Sequence, residues 1–260
     1  MDLELKEKVI IVTGGAKGIG AATVRACAAE GAIPVILDRD SGAGKELQAS
    51  LIKNGSKCGL IEADLEDSRA CESAVARTVE EFGNLDALVN NAGRNDKVGL
   101  EHGSPDEYVA SLRRNLLHYY NMAHYALPHL KKSRGCIVNV GSKTSVTGQG
   151  STSGYASAKG AIMALTREWA AELLQYGIRV NTVVPAEVMT PLYREWLATF
   201  TNSDEKLKSI LFKIPLGGRM TTAEEIANTV VFLVSGKSSH TTGQHLFVDG
   251  GYVHLDRALT

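Results

Sequence analysis

Two side chains four residues apart, Tyr155 and Lys159, make the clearest offer of chemistry in the 260-residue chain. On a helix that spacing puts both on one face, a turn apart, within reach for an ammonium to act on a phenol. A free phenol titrates near pH 10, too high for a base at neutral pH. A neighbouring cation stabilises the phenolate and draws that value toward the working range, where proton transfer is most effective. The spacing therefore predicts Tyr155 as a proton-transfer group and Lys159 as its activator. Ser142, just past a short apolar run, adds a hydroxyl suited to bond an oxygen that gains or loses charge. A tyrosine and lysine at this spacing also arise by chance on helical surfaces, so the surrounding residues decide the matter.

The first of these surroundings is Thr13-Gly14-Gly15-Ala16-Lys17-Gly18-Ile19-Gly20, which joins an apolar run to a helical stretch. Glycines here let the backbone turn tightly and approach a pyrophosphate. The helix that follows points its first amides and positive dipole end at the anion. A plain glycine turn is the alternative. The preceding strand, the following helix and an acid at the right distance favour a dinucleotide, with Gly14, Lys17, Gly18, Ile19 and Gly20 as contacts. That acid is Asp38, at the carboxyl end of the second strand. A carboxylate there accepts the adenosine ribose hydroxyls and repels a 2′-phosphate, which favours NAD over NADP. Lys17 and Arg39 could pair with a 2′-phosphate if they turned inward, so NADP is tolerated. Asp64-Leu65 and Asn90-Asn91-Ala92-Gly93 follow the third and fourth strands, where such a sheet presents its crevice. Both also suit ordinary turns.

These residues need a scaffold that gathers strand ends. Residues 9–12, 33–37, 87–89, 136–140 and 178–184 read as strands, with 61–63 as a shorter one, and most are apolar on both faces. That pattern belongs to a parallel sheet covered on both sides. Between them, 20–30, Ser68–Phe82, 105–130 and 155–175 carry helical periodicity. The alternation predicts an α/β fold: a doubly wound parallel sheet of Rossmann type in three α/β/α layers, as a single domain over 1–260. Residues 190–213 are irregular, with apolar positions spaced as on one or two short helices, and form a candidate lid. Hydrophobic residues make up 44% and charged residues 22%, enough for a large core, and the net charge of −1 offers no field for nucleic acid. No apolar run approaches a membrane span. Cys27, Cys58, Cys71 and Cys136 are scattered and read as reduced thiols. The expected setting is the cytoplasm, and the expected partner is a small molecule.

The motifs together resemble the short-chain dehydrogenase/reductase family, in the family's order and from about Val9 to Tyr252. The resemblance implies a nicotinamide-dependent oxidoreductase with a tetrad of Asn115, Ser142, Tyr155 and Lys159. In that tetrad Asn115 helps hold a water linking Lys159 to solvent. It also implies that Pro185-Ala186-Glu187-Val188-Met189-Thr190 is the loop whose Val188 backbone and Thr190 hydroxyl meet the nicotinamide amide, with Ala186 replacing the customary glycine. Residues 243–251 resemble the family's last strand. By the same resemblance, the helices over 105–130 and 155–175 are expected to build a homotetramer, as in many relatives, with Tyr252 to Thr260, beyond the final strand, expected to cross to a neighbouring subunit. Within the family the similarity is to L-fucose dehydrogenases and a related hydroxysteroid dehydrogenase, through residues 126–135 and Thr190-Pro191-Leu192.

Substrate residues follow less directly. Arg94, Asn95, Ser142, Lys143, Gln149, Tyr155 and Glu187 would surround the pocket, and a polyol needs several fixed polar partners. Trp196 and Phe200 on the lid either stack on a sugar face or hold the lid closed. His118, His124 and His129 are spaced six and five apart, share no helix face, and support no metal site. The favoured activity is oxidation of an aldose hydroxyl to a lactone. A 3-oxoacyl-(acyl-carrier-protein) reductase or other keto-reductase is the alternative, and a non-catalytic dinucleotide sensor is more remote.

Overall fold

The computed structural model describes residues 2–256. Seven strands form one sheet in the order β3-β2-β1-β4-β5-β6-β7, with every pairing parallel. They are β1 (Val9–Thr13), β2 (Ile33–Asp38), β3 (Gly59–Glu62), β4 (Ala87–Asn90), β5 (Cys136–Val140), β6 (Arg179–Pro185) and β7 (His245–Val248). All five residues of β1 and of β5 are buried, as strands covered on both faces require.

Successive strand residues face opposite sides, so β1 feeds two cores. Ile10 and Val12 pack in a core with Val24 of α1 (Gly18–Ala29) and with Ile226 and Val230 of α9 (Ala223–Val234). Val9 and Ile11 pack in the other, with Cys71 and Val75 of α3 (Ser68–Phe82), Met122 of α5 (His118–Ser133) and Ile162 of α6 (Ser153–Glu172). Helix α2 (Ser41–Lys53) follows β2, and α4 (Pro105–Leu112) precedes α5. The irregular segment after β6 contains α7 (Pro191–Leu197) and α8 (Ser203–Leu211), the two short helices its spacing predicts.

Several boundaries differ from the sequence expectation. The continuous helix expected over 105–130 is α4, a π-helical turn at Arg113–Leu117, and then α5. Helix α6 stops at Glu172, and a 3-10 turn, Leu174–Tyr176, takes up the rest of 155–175. The third strand starts two residues early, at Gly59, and ends at Glu62. Neither α2 nor α9 is anticipated. Of the expected carboxyl-terminal extension, residues 257–260 lie outside the described residues, and 252–255 form turns.

Strand order reverses between β1 and β4. Parallel strands send all their carboxyl ends to one edge, and the crevice beyond them at the reversal point is where such sheets hold ligands. The loops after β1, β4, β5 and β6 therefore meet there, and with them the glycine turn, Gly93, Ser142 and Pro185.

Candidate active site

The loop between β1 and α1 can only be built from glycine. Gly14 and Gly18 have φ of +62° and +55°, and a Cβ on Gly20 would lie 2.0 Å from the Gly14 carbonyl oxygen. A Cβ on Gly18 would press on Thr190 at 3.3 Å, so the glycine turn and the loop after β6 already touch. Helix α1 begins with no side-chain cap, because Lys17 in the N-cap position makes no such bond. Its first amides are thus left for an anion.

The Asn90–Gly93 run mainly braces that turn. The Asn91 side-chain amide donates to the Thr13 and Gly14 carbonyls at 2.9 and 3.1 Å. The backbone amides of Asn91 and Ala92 donate to the Thr13 hydroxyl at 2.9 and 3.1 Å. Thr13, which the motif reading passes over, is therefore the bolt between β1 and β4. Gly93 leaves open space: a Cβ there would sit 3.1 Å from Asn115 Oδ1 and 3.8 Å from Lys159 Nζ. At the end of β2, Asp38 accepts the Ala16 and Asp40 amides, each at 3.0 Å, and so points at the glycine turn. Lys17 turns instead to Asp40, at 2.6 Å, and Arg39 is exposed. Asp64 is exposed and accepts the Glu66 amide, whereas Leu65 is buried in the core.

The four reactive candidates come from three elements. Ser142 ends the β5 loop, where its oxygen accepts bonds from the Thr144 amide and hydroxyl. Tyr155 and Lys159 lie on α6, with the ammonium 5.7 Å from the phenol ring centroid. Burial pushes the Tyr155 phenol up, a hydrogen bond with Ser142 opposes this, and the Asp96 carboxylate pushes it further up. Burial also brings Lys159 down to about 7. The lowered phenol expected from the spacing is therefore reversed here, because desolvation outweighs the attraction of a lysine whose own charge burial disfavours.

Asn115 sits in the π turn, fully buried. Its Oδ1 accepts the Arg94 amide at 2.8 Å, and its Nδ2 donates to the Ser111 carbonyl at 3.1 Å. Its side chain thus ties the loop after β4 to α4. The group that meets Lys159 is Tyr119, on α5, whose hydroxyl accepts from Nζ at 2.9 Å.

A family model described as enoyl-(acyl carrier protein) reductase matches residues 14–253. An L-fucose dehydrogenase of Mus musculus is 38% identical over 94% of this chain and 88% of its own. The 3-oxoacyl-(acyl-carrier-protein) reductase FabG of Thermotoga maritima is 34% identical over 96% of this chain and its full length. The crystal structure of Cj0485 dehydrogenase superposes with a TM-score of 0.95 at 50% identity, covering 100% of this chain and 99% of that one. The chain belongs to the short-chain dehydrogenase/reductase family.

It is accordingly an oxidoreductase of a family that acts on CH–OH groups with NAD(P). The residues fit a nicotinamide dinucleotide: uncapped α1 amides for the pyrophosphate, Asp38 for a ribose, and the space over Gly93 beside Lys159. Pro185, at the end of β6, and Val188, on the loop after it, are buried. The Thr190 hydroxyl accepts the Tyr193 amide at 3.2 Å as the cap of α7, and so keeps its own proton to donate.

Next to Ser142, Lys143 forms an ion pair with Glu187 of the loop after β6, with their side chains only 10% and 12% exposed. Lys143 also lies over the Tyr252 ring at 4.2 Å. Tyr193 hydrogen-bonds to Glu187; burial first and that carboxylate second push its phenol up. Tyr193 and Tyr252 thus contact this pair, which sequence reading misses, although Tyr193 falls within the segment it marks as a candidate lid. Arg94 is exposed, Asn95 folds back onto the Lys97 amide at 3.1 Å, and Gln149 is exposed in the loop before α6. These three are not gathered with the pair. Trp196 has Tyr193 and Phe200 edge-on at 5.0 Å each, so it packs within its own segment, α7 and the turn after it. Among the described residues no three His, Cys, Asp or Glu side chains group as for a metal, and no helix is long and apolar enough to cross a membrane. His118 is buried, His124 exposed and His129 half-buried.

Proposed function

We propose that this enzyme oxidises the anomeric hydroxyl of a six-carbon aldose such as L-fucose to the lactone, with NAD favoured and NADP tolerated. The observation that carries the reading is the Lys143–Glu187 pair, nearly closed off from water and adjoining Ser142. An apolar chain laid against two buried ions would leave their remaining hydrogen-bonding capacity unsatisfied, whereas a polyol supplies both donors and acceptors. The similarity to an L-fucose dehydrogenase points the same way. Asp38 supports NAD, since its carboxylate is fixed toward the glycine turn while Lys17 is neutralised by Asp40.

In this reading Tyr155, as phenolate, takes the proton of the sugar hydroxyl. Lys159 lends the phenolate its charge, Ser142 bonds the reacting oxygen, and Asn115 fixes the loop that carries Gly93. The nicotinamide supplies the hydride acceptor. The exposed Leu117 and Tyr120 on the surface of the π turn and α5 fit burial against a second copy, in keeping with a homotetramer. A keto-reductase acting on carrier-bound acyl groups is the second reading, favoured by the likeness to FabG.

The deciding experiment is a panel of aldopyranoses, a β-ketoacyl thioester and a steroid, each followed by nicotinamide absorbance with both cofactors. The expected result is reduction of NAD by L-fucose or a close stereoisomer. If no sugar reduces either cofactor while the thioester oxidises NADPH, the sugar reading fails.

A further inference from the structure

Beneath the Tyr155 and Lys159 pair lies Tyr119, the largest of the fully buried side chains. It is one helical turn beyond Asn115, at the start of α5. Its hydroxyl accepts from Lys159 Nζ at 2.9 Å and donates to the Val140 carbonyl at 3.0 Å. Lys159 Nζ also donates to that carbonyl, at 2.7 Å, which closes a triangle of three polar atoms in the core. An ammonium carries three donors. Two are fixed on Tyr119 and Val140, which leaves one to turn toward the crevice.

We propose that Tyr119 is a positioning residue that anchors Lys159 Nζ under Tyr155 and favours its charged form there. This rests on the roles of Tyr155 and Lys159 in the function proposed above. Tyr119 is an anchor and not a relay, because its single proton goes to a carbonyl that has no proton to pass on. Bonds to a charged donor are about twice as strong as neutral ones, and a buried ammonium has few substitutes for a lost acceptor. The other groups near Lys159 do not take over the task. Tyr155 is on its own helix. His118, on α5, is pushed by burial and by Lys159 to about 4, so it is neutral above that pH and brings no anion. Asp96 acts on Tyr155 and is held by Ser111 and Arg114.

The test is a Tyr119→Phe variant, which keeps the ring in the core and removes only the oxygen. Carbon-13 NMR of protein labelled at the lysine ε-carbons reads the Lys159 midpoint, its signal assigned by loss in Lys159→Met. Losing the acceptor favours neutral Lys159, so its midpoint, about 7 in wild type, is expected to fall by about one pH unit in Tyr119→Phe. The charged fraction at pH 7 then drops about fivefold, and kcat at pH 7 should fall by about the same factor, with KM for the cofactor changed less than about twofold. An unchanged Lys159 midpoint would overturn the proposal and leave Tyr119 as core packing. Should Tyr119→Phe fold poorly, Tyr119→Met, which also lacks the oxygen, replaces it under the same criterion. The titration contains no sugar, so its failure is distinct from failure of the substrate panel.

Discussion

Burial of Lys159 carries a stability cost that pH can reveal. Its ammonium falls from the ordinary 10.5 to about 7 through desolvation. Between those values the unfolded chain holds a proton that the folded chain lacks, so stability rises with pH across the window and is flat, at its lowest, below it. Each pH unit corresponds to about 1.4 kcal/mol. The site thus costs about 4 kcal/mol at pH 7 and about 2 kcal/mol at pH 9. Lys159→Met keeps the stem and removes the titration. It also removes the bonds to Tyr119 and Val140, worth about 2 kcal/mol, although Tyr119 still donates to Val140. The variant should therefore be about 2 kcal/mol more stable than wild type at pH 7 while losing turnover, and that advantage should vanish by pH 9. Urea unfolding followed by tryptophan fluorescence, at one chain concentration and both pH values, measures it. A gap between the two proteins that is the same at pH 7 and pH 9 would refute the assignment of Lys159 as the buried proton-shedding group.

Three further outcomes are expected. Asp38→Asn keeps an acceptor for the Ala16 amide but removes the charge that repels a 2′-phosphate, so the NADP-to-NAD ratio of kcat/KM should rise about tenfold or more; an unchanged ratio would place cofactor choice elsewhere. Gly20→Ala puts a methyl 2.0 Å from the Gly14 carbonyl and 2.7 Å from the Asn91 side chain, so a loss of at least about 3 kcal/mol in thermal or urea unfolding should accompany loss of NAD binding. His118, lowered by burial from 6.5 to about 4, takes no proton in the folded state as pH falls from 7 to 5, whereas the unfolded chain does. Stability should fall through that window by about 2 kcal/mol more in wild type than in His118→Gln, measured by parallel urea titrations.

What the sequence discloses depends on how local the physics is. The parallel strands are legible because burial on both faces writes an unbroken apolar run, as in Val9–Thr13. Helix α2 is hidden because only Gly44, Leu47 and Leu51 face the core, too sparse a stripe to stand out. Helix α9 carries a signal that could have found it: Thr222 and Glu225 form a reciprocal capping box before an apolar run. The π turn at Arg113–Leu117 has no such signature, since an i→i+5 bond is decided by tertiary packing. Asn115 accordingly enters only through resemblance. Tyr119 looks like one more apolar position of α5, and its four-residue step from Asn115 becomes a cue only once Asn115 is singled out.

The same distinction separates the residues that shape the crevice from those left to act in it. Asn91 and Asp38 look like ligands in the sequence, yet each, like Thr13 and Asn115, donates to or accepts from protein backbone, fixing a strand end or a loop. Polar capacity left over at the crevice belongs to the first amides of α1, the Thr190 hydroxyl and the third donor of Lys159. These are groups that a dinucleotide and one reacting oxygen can use, whatever carbon skeleton bears that oxygen. Discrimination among substrates must then come from outside this set. The Lys143–Glu187 pair with Tyr193 is a charged cluster that adjoins Ser142, and Tyr193 belongs to α7. Because Trp196 packs between Tyr193 and Phe200, that helix carries its aromatic cluster as a unit. In the proposed function, a substrate bonded to Glu187 therefore meets the same carboxylate that holds Tyr193 and, through it, α7.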